Sequence, residues 1–382
     1  MRALIVGGGV AGLALAAELS RQGREPVVAE KASAYGEHGY SLALYPFGSA
    51  VLHGLGAYDD FVAASTEMRT YELADHGGEV IQSVDFGELL ADYGPSYCTT
   101  HAALVEILRR ACGDGVDLRM GTTVEGFEET GDEIEVAFSD GRSERFDILV
   151  GCDGIHSKTR DQLLGEQPGF ETGWVGWTWW GEEGIFPPEL VREYWLRGAF
   201  FGAYPVPGKS TFVAAVPTAT AGPDDGLGEE EVLRRLRSAL GEVADRVPEI
   251  SKALSAAHDL WPWPLLDVRA GDLTRGRAVL CGDAGTAFLP TAGIGASSAL
   301  RSAAALADEL SRADARLVPL AIDHYVKRTE KIVRGNQTDS RHLARAMFVE
   351  NRLATWSRDE LLRHMPVTSM TKSILEAMRQ PV

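Results

Sequence analysis

Two stretches of the sequence carry glycines at spacings suited to an anion. The first is LIVGGGVAGLALAAELSRQG, in which Gly7, Gly9 and Gly12 follow a short apolar strand and open a helix. The second is LCGDAGTAFLPTAGIGASSAL, residues 280–300, where a strand end gives way to Gly-Asp and a small-residue loop that opens another helix. A helix N-terminus offers unpaired N–H groups and the positive end of its dipole, so either stretch could receive phosphate. In the first, Gly7 suits a tight turn, Gly9 lets the backbone approach a pyrophosphate, and Gly12 lets helix and strand pack closely. The strand PVVAE then ends at Glu30, 18 positions after Gly12, where an acid can accept from a ribose diol. Strand, glycine loop, helix, strand and acid make a βαβ dinucleotide-binding unit. The motif alone does not choose between NAD(P) and FAD.

These loops need a scaffold. Apolar runs at 3–7, 26–30, 146–151 and 278–282 read as one parallel sheet. Residues 69–86 read as a hairpin turning at His76-Gly77-Gly78, and 101–112 as an amphipathic helix. A second hairpin with an Asp-Gly turn leads into the strand before Asp153-Gly154. Residues 170–217 are rich in Trp, Phe, Tyr, Gly and Pro and read as antiparallel strands. Helical patches follow at 228–240, 248–257 and 294–310, and everything after about 317 is helical and charged. The expectation is an α/β chain: a doubly wound, Rossmann-like domain with a parallel sheet, interrupted by a β-sheet domain and ending in helices.

Composition narrows the function. The 382 residues are 45% hydrophobic and 24% charged, ordinary for a globular enzyme of two interlocked domains. No apolar run approaches the roughly 18 residues of a membrane span. The first glycine loop begins too early for a signal peptide to precede it, so a cytoplasmic location is expected. A net charge of −18 argues against nucleic acid and anionic membranes as partners. Cys98, Cys112, Cys152 and Cys281 are scattered, which fits free buried thiols, and no Cys or His spacing suggests a metal. His53, His76 and His258 read as ordinary lone histidines.

DILVGCDGIHSKTR, residues 147–160, and GRAVLCGDAGTAFLPTAGIG, residues 276–295, follow the N-terminal GxGxxG in an order that resembles the single-component (class A) flavoprotein monooxygenases. Their fold is that of para-hydroxybenzoate hydroxylase. The resemblance spans about residues 1–335. It implies FAD as cofactor, NAD(P)H and O2 as co-substrates, and oxygen transfer to an aromatic or polycyclic molecule by way of a flavin C4a-hydroperoxide. It implies an FAD-binding domain from 1–67, 101–165 and 266–335, a substrate domain from 68–100 and 166–265, and a C-terminal helical segment at 336–382. Gly7, Gly9, Val10, Ala11, Gly12, Glu30, Lys31, His101 and Val124 would then bind the cofactor. Asp153 and Gly154 fall in the segment beside the cofactor that also serves NAD(P)H, with Ser157 and Arg160 completing that motif. Asp283 would hold the ribityl chain, Pro290 would shape the turn near the ring, and the amides of Gly293, Ile294, Gly295 and Ala296 would face the flavin N1–C2=O edge, where negative charge develops on reduction.

The sequence also departs from the family. Gly36 and His101 stand where arginines are common, Gly285-Thr286 where Ala-His is frequent, Ser297 where Asn is, and Ser302 where an acid is. These changes remove positive charge and donors around the cofactor, which predicts weaker FAD binding. The cluster GWVGWTWWGEEG raises a flavin-dependent halogenase as an alternative, since Trp177 and Trp179 match a Trp-x-Trp pattern. Ile185-Phe186-Pro187 comes too late for it, however, and Lys31, Lys158 and Lys209 are poorly placed for a catalytic lysine. Strand alternation puts Trp177 and Trp179 on one face and Trp174 and Trp180 on the other. Tyr45, Trp177, Trp179, Phe201 and Tyr204 are the pocket candidates; no catalytic side chain is assigned. A flavin oxidase or reductase would carry the same motifs, as would a non-catalytic flavin-binding protein. Either a monomer or a homodimer fits.

Overall fold

A computed structural model describes residues 1–36, 40–222, 228–366 and 372–379. In chain order the strands are β1 (Ala3–Val6), β2 (Val27–Glu30), β3 (Ser41–Leu44), β4 (Ser65–Glu67), β5 (Thr70–Ala74), β6 (Val80–Asp85), β7 (Tyr97–Thr100), β8 (Asp117–Met120), β9 (Val124–Thr130), β10 (Glu133–Phe138), β11 (Ser143–Phe146), β12 (Ile148–Gly151), β13 (Gly169–Glu182), β14 (Leu190–Trp195), β15 (Phe200–Val206), β16 (Lys209–Pro217), β17 (Trp261–Arg269), β18 (Thr274–Arg275) and β19 (Ala278–Leu280). The helices are α1 (Val10–Arg21), α2 (Pro46–Leu55), α3 (Tyr58–Ala63), α4 (Phe86–Leu89), α5 (His101–Ala111), α6 (Lys158–Leu164), α7 (Thr218–Ala221), α8 (Glu229–Leu240), α9 (Glu242–Arg246), α10 (Pro248–Ser255), α11 (Asp283–Thr286), α12 (Gly295–Ser311), α13 (Val318–Met347), α14 (Arg352–His364) and α15 (Lys372–Met378).

The apolar runs form the middle of a six-stranded sheet of order β18-β19-β12-β1-β2-β8. The four expected strands are parallel, and β8 adds a fifth. Its sequence, DLRM, alternates charge with apolar residues at a half-exposed edge and gives no buried run to read. One face of this sheet packs on α1, α5 and α12, whose buried residues include Leu13, Leu15, Leu104, Leu108, Leu300 and Leu306. The other face is covered mainly by an antiparallel sheet, β11-β10-β9, through Ile134, Val136, Phe138 and Phe146. The Rossmann-like α/β architecture is therefore present, with antiparallel strands in place of a second helical layer.

The aromatic insert folds as a seven-stranded sheet, β17-β13-β16-β15-β14-β5-β6. The β5–β6 hairpin joins it by parallel pairing of β5 with β14, so segments far apart in the chain share one sheet. A small sheet, β3-β7-β4, is formed by segments that precede α5. One face of the seven-stranded sheet is backed by α8, α9 and α10, with Leu236, Leu240, Ile250 and Ala253 buried against it.

Helix α13 runs unbroken across residue 335, so no element ends at that expected boundary. Residues 367–371 and 380–382 of the C-terminal segment lie outside the described residues. α13 ties the two large sheets together. Gln337 donates to the carbonyls of Val268 and Ala287 at 2.9 Å each. Arg341 makes a two-point ion pair with Asp267, which is fully buried. α14 grips the β5–β6 turn: Arg363 pairs with Asp75 at 3.0 Å, and His76 bonds Asp359. Asp75, His76 and Asp359 bring three possible ligand atoms within 4.8 Å of one another. Their oxygens are taken up by Arg363, Arg358 and the amides of Gly77 and Glu79, so the cluster acts as a clamp. All four cysteines are free and buried. No helix among the described residues is long and apolar enough to cross a membrane.

Removing Arg341 leaves the Asp267 carboxylate buried and unpaired, which costs about 3–5 kcal/mol. Arg341→Ala therefore lowers the thermal unfolding temperature strongly. The double variant Asp267→Asn/Arg341→Met recovers most of the loss in the same calorimetric scan.

Candidate cofactor and substrate site

The first glycine loop is built around contacts that exclude a side chain. Gly7 has φ +105°, and a Cβ there would lie 2.5 Å from the Cys152 carbonyl oxygen. A Cβ on Gly12 would lie 1.9 Å from the Gly7 carbonyl oxygen. Gly9 differs: nothing lies within 4 Å of the position its Cβ would take. The backbone there borders open space. Helix α1 starts at Val10 with no side-chain cap and no acid in its first turn, so the amides of Val10, Ala11 and Gly12 keep their capacity to donate. At the neighbouring strand end Glu30 accepts from the amides of Gly8 at 2.7 Å and Ala32 at 2.8 Å, which fixes its carboxylate beside the loop. Tyr35, not expected from the sequence, donates its hydroxyl to the Gly8 carbonyl at 2.9 Å and so braces the loop. Lys31 is exposed. Val124 is buried in the core between the sheets, which leaves its backbone as the part able to meet a cofactor.

The second loop repeats the device. Gly282 has φ +62°, and a Cβ there would strike the Ala11 methyl at 2.7 Å. This contact holds the second loop against the first helix. Gly293 has φ +63°, and Gly295 borders open space. Helix α12 has neither a side-chain cap nor an acid in its first turn, so the amides of Ile294, Gly295 and Ala296 are available, while the Gly293 amide donates to the Pro290 carbonyl at 2.9 Å. Asp283 is exposed at the surface, and desolvation by the protein around it raises its carboxyl to about 6. Pro290 opens a short 3-10 turn ahead of Gly293.

Several expected cofactor residues do local work instead. The Asp153 carboxylate accepts from the Ser157 hydroxyl at 2.5 Å and from the Thr159 amide and hydroxyl at 3.0 Å, so it holds the start of α6. With these bonds made, the carboxylate serves the fold of the segment that is expected beside the cofactor. Gly154 has φ +80° and makes the turn. Arg160 is buried and donates to the carbonyls of Ile155 and Ala284, which ties the Asp-Gly segment to the second loop. Ser297 accepts from the Tyr45 amide at 3.0 Å, and Gly48 packs so close to it that a Cβ would lie 2.7 Å from the Ser297 Cα. Ser302 bonds the Tyr325 hydroxyl at 2.7 Å. His101 stacks on Tyr40 at 5.3 Å between ring centres, Tyr40 stacks on Trp263 at 5.8 Å, and burial lowers the His101 pKa. A neutral imidazole there supplies no positive charge.

The seven-stranded sheet turns one face toward the second loop. Tyr45, Val191, Val206, Ala292 and Ile294 pack together, with Tyr71, Trp180, Tyr204, Phe288 and Leu343 half-buried against them. The Tyr45 hydroxyl lies 3.6 Å from where a Gly293 Cβ would be. Trp177, Trp179 and Phe201 are on the opposite face, buried among the residues of α8 to α10, and the Trp179 indole donates to the Ala253 carbonyl at 3.1 Å. Trp179 and Phe201 are core rather than pocket wall, while Trp177 also borders a separate cavity with Trp174, Val232 and Leu260. Strand alternation separates 177 and 179 from 174 and 180, and the helices cover the odd-numbered side. Behind Tyr71 and Tyr204 lies a buried acid, Glu193, that no motif in the sequence marks. Thr178 and Thr211, on the same face as Trp180 and Tyr204, have buried hydroxyls without a partner among the described residues.

The sequence matches the family described as FAD binding domain over residues 1–337. The chain belongs to this family. An aurachin C monooxygenase/isomerase of Stigmatella aurantiaca is 31% identical across 95% of this chain and 94% of its own length. A 3-amino-4-hydroxybenzoate 2-monooxygenase of Streptomyces platensis is 29% identical across 82% of this chain and 80% of its own. The fold is that of Klebsiella pneumoniae HpxO, solved with FAD and uric acid, at a TM-score of 0.86, 23% identity, and coverage of 99% and 96% of the two chains. The chain is an FAD-dependent monooxygenase. Its residues fit that cofactor: two uncapped helix N-termini, glycines bordering open space, and an acid at each loop.

Asp283 supplies a sharp test. Its folded pKa of about 6 exceeds the unfolded value of 3.8, so the unfolded chain ionises first as pH rises. The apoprotein carries a stability penalty that is absent below pH ~4 and complete above pH ~6. Asp283→Asn raises the melting temperature of the apoprotein at pH 7.5 but not at pH 3.5, and it weakens FAD binding at pH 7.5. Fluorimetric melting and a flavin titration read the two effects.

Proposed function

We propose that the chain takes electrons from NAD(P)H and one oxygen atom from O2, and places that atom on an aromatic or polycyclic small molecule. The observation that carries this reading is the half-buried aromatic face of Tyr71, Trp180, Tyr204 and Phe288 set against the second loop. When bound, FAD supplies the redox and oxygen-transfer chemistry. The chain's residues bind, orient and shelter. The Val10 to Gly12 amides receive the pyrophosphate, and Glu30 accepts from the ribose. Asp283 accepts from the ribityl hydroxyls. The amides of Ile294 to Ala296 stabilise negative charge at the ring edge. The apolar wall of Phe288, Leu343 and Trp180 excludes water, which protects a reactive oxygen donor from hydrolysis. Asp153 and Gly154 would shape the route by which the nicotinamide approaches.

The same reading divides the chain into the FAD-binding and substrate domains expected from the sequence. It places the protein in the cytoplasm, as a monomer or homodimer. The 3-amino-4-hydroxybenzoate 2-monooxygenase relative supports a ring substrate. A flavin oxidase is the second reading, favoured by the neutral His101 and the exposed Lys31, which leave the cofactor loops short of cations. Turnover under 18O2 with NADH or NADPH and a panel of aromatic compounds separates them. One labelled oxygen atom in product is expected; NAD(P)H oxidation that yields only peroxide would overturn the oxygen-transfer reading.

A further inference from the structure

Glu193 is an acid buried among the pocket aromatics of the seven-stranded sheet. The residue is 8% exposed, and its carboxylate has three donors. The Tyr71 hydroxyl donates to Oε2 at 2.9 Å, the Trp195 indole N–H to Oε2 at 3.0 Å, and the Tyr204 hydroxyl to Oε1 at 2.8 Å. Burial raises the carboxyl, and the three donors act against that shift by favouring the anion. The arrangement is built into the strands. Glu193 lies opposite Gly202 in the β14–β15 register, and Tyr204 leans back across Gly202 to reach it. A Cβ on Gly202 would lie 2.8 Å from the Tyr204 ring and hydroxyl. Tyr71 arrives from β5 on the other side of β14.

As the anion, the form its three donors favour, Glu193 accepts and cannot donate. Each tyrosine has one hydroxyl hydrogen, and both hydrogens are committed to Glu193. What the hydroxyls of Tyr71 and Tyr204 have left is lone pairs. We infer that Glu193 orients Tyr71 and Tyr204 as a pair of hydrogen-bond acceptors, so that the site selects ring substrates that present an O–H or N–H donor there. This rests on the aromatic-substrate reading above and adds the polarity of the recognised group. Glu193 is a positioning residue, and the two tyrosines are the specificity-determining ones. A site with committed acceptors rejects a methylated analogue twice over, because it leaves the acceptors unpaired and meets extra bulk. Tyr45 lies close enough to Tyr71, and Cys98 to Tyr204, to raise the pKa of each, but both act through space and offer the pair no replacement for Glu193.

The test uses the FAD-loaded enzyme and two matched pairs of probes: 1-naphthol with 1-methoxynaphthalene, and indole with 1-methylindole. Binding is read from the perturbation of the flavin absorbance. The donor-bearing member of each pair is expected to bind at least roughly tenfold tighter. In Glu193→Gln the carboxamide donates where the carboxylate accepted, which frees a tyrosine hydrogen to point at the ligand. The preference then falls to within about threefold, with FAD content unchanged. Tyr204→Phe, which removes one acceptor and keeps the ring, lowers the preference as well. A merely structural Glu193 would lower the melting temperature and leave the preference intact, and that result overturns the inference. Equal binding of methylated and unmethylated probes to the wild type overturns it too, while the aromatic-substrate reading survives. If none of the four probes binds, both readings fall together.

Discussion

The structure depends on how closely α1 and α12 approach each other at the carboxyl edge of the parallel sheet. The contact is made of small residues: Ala11 meets Gly282, and buried Ala14, Ala299 and Ala303 belong to the same core. Larger side chains would hold the helix axes farther apart. The consequence is electrostatic. Two helix N-termini, both without side-chain caps and without acids in their first turns, are brought together by this contact. In a chain of net charge −18 with a neutral His101 and an exposed Lys31, backbone dipoles are the main positive feature there. One ligand with a pyrophosphate in the middle and an electron-poor ring at one end answers both.

The second constraint is the division of the seven-stranded sheet into two unlike faces. α8 to α10 seal one face with packed aromatics, Trp177, Trp179, Phe201 and Phe212. The other face carries Glu193 and the tyrosines, and it meets the loop at Ala292 and Ile294. α13 holds the relation between the sheets by bonding through Gln337 to a strand of one and the loop of the other. A shift of that helix would therefore move the substrate face relative to the cofactor groove.

Much of this was legible in the sequence because it is local. Gly7, Gly12 and Gly282 announce themselves by spacing within a strand–loop–helix unit. The three motifs also carry the family resemblance, and with it the cofactor. The alternation of Trp174, Trp177, Trp179 and Trp180 was legible as two faces. Which face the helices would cover was not, because that is decided by α8 to α10, which come much later in the chain. The local partners of Asp153, Ser157 and Thr159, were not legible as such, because the motif marks the segment and not the bonds within it. Tyr204 was legible as a pocket aromatic, but the acid it serves was not. Glu193 and Tyr71 escaped altogether: they are separated by 122 residues and meet only through the parallel register of β5 with β14. The edge strand β8 and the antiparallel layer over the parallel sheet were likewise set by tertiary packing.

We propose that the two glycine loops are halves of one cofactor site. Calorimetric titration of the apoprotein with FAD, repeated in the presence of saturating ADP and then of saturating FMN, tests this directly. The predicted result is one FAD per chain, with both ADP and FMN weakening FAD binding, each by occupying its own half of the groove. Two flavins per chain, or FAD binding indifferent to ADP, would contradict it.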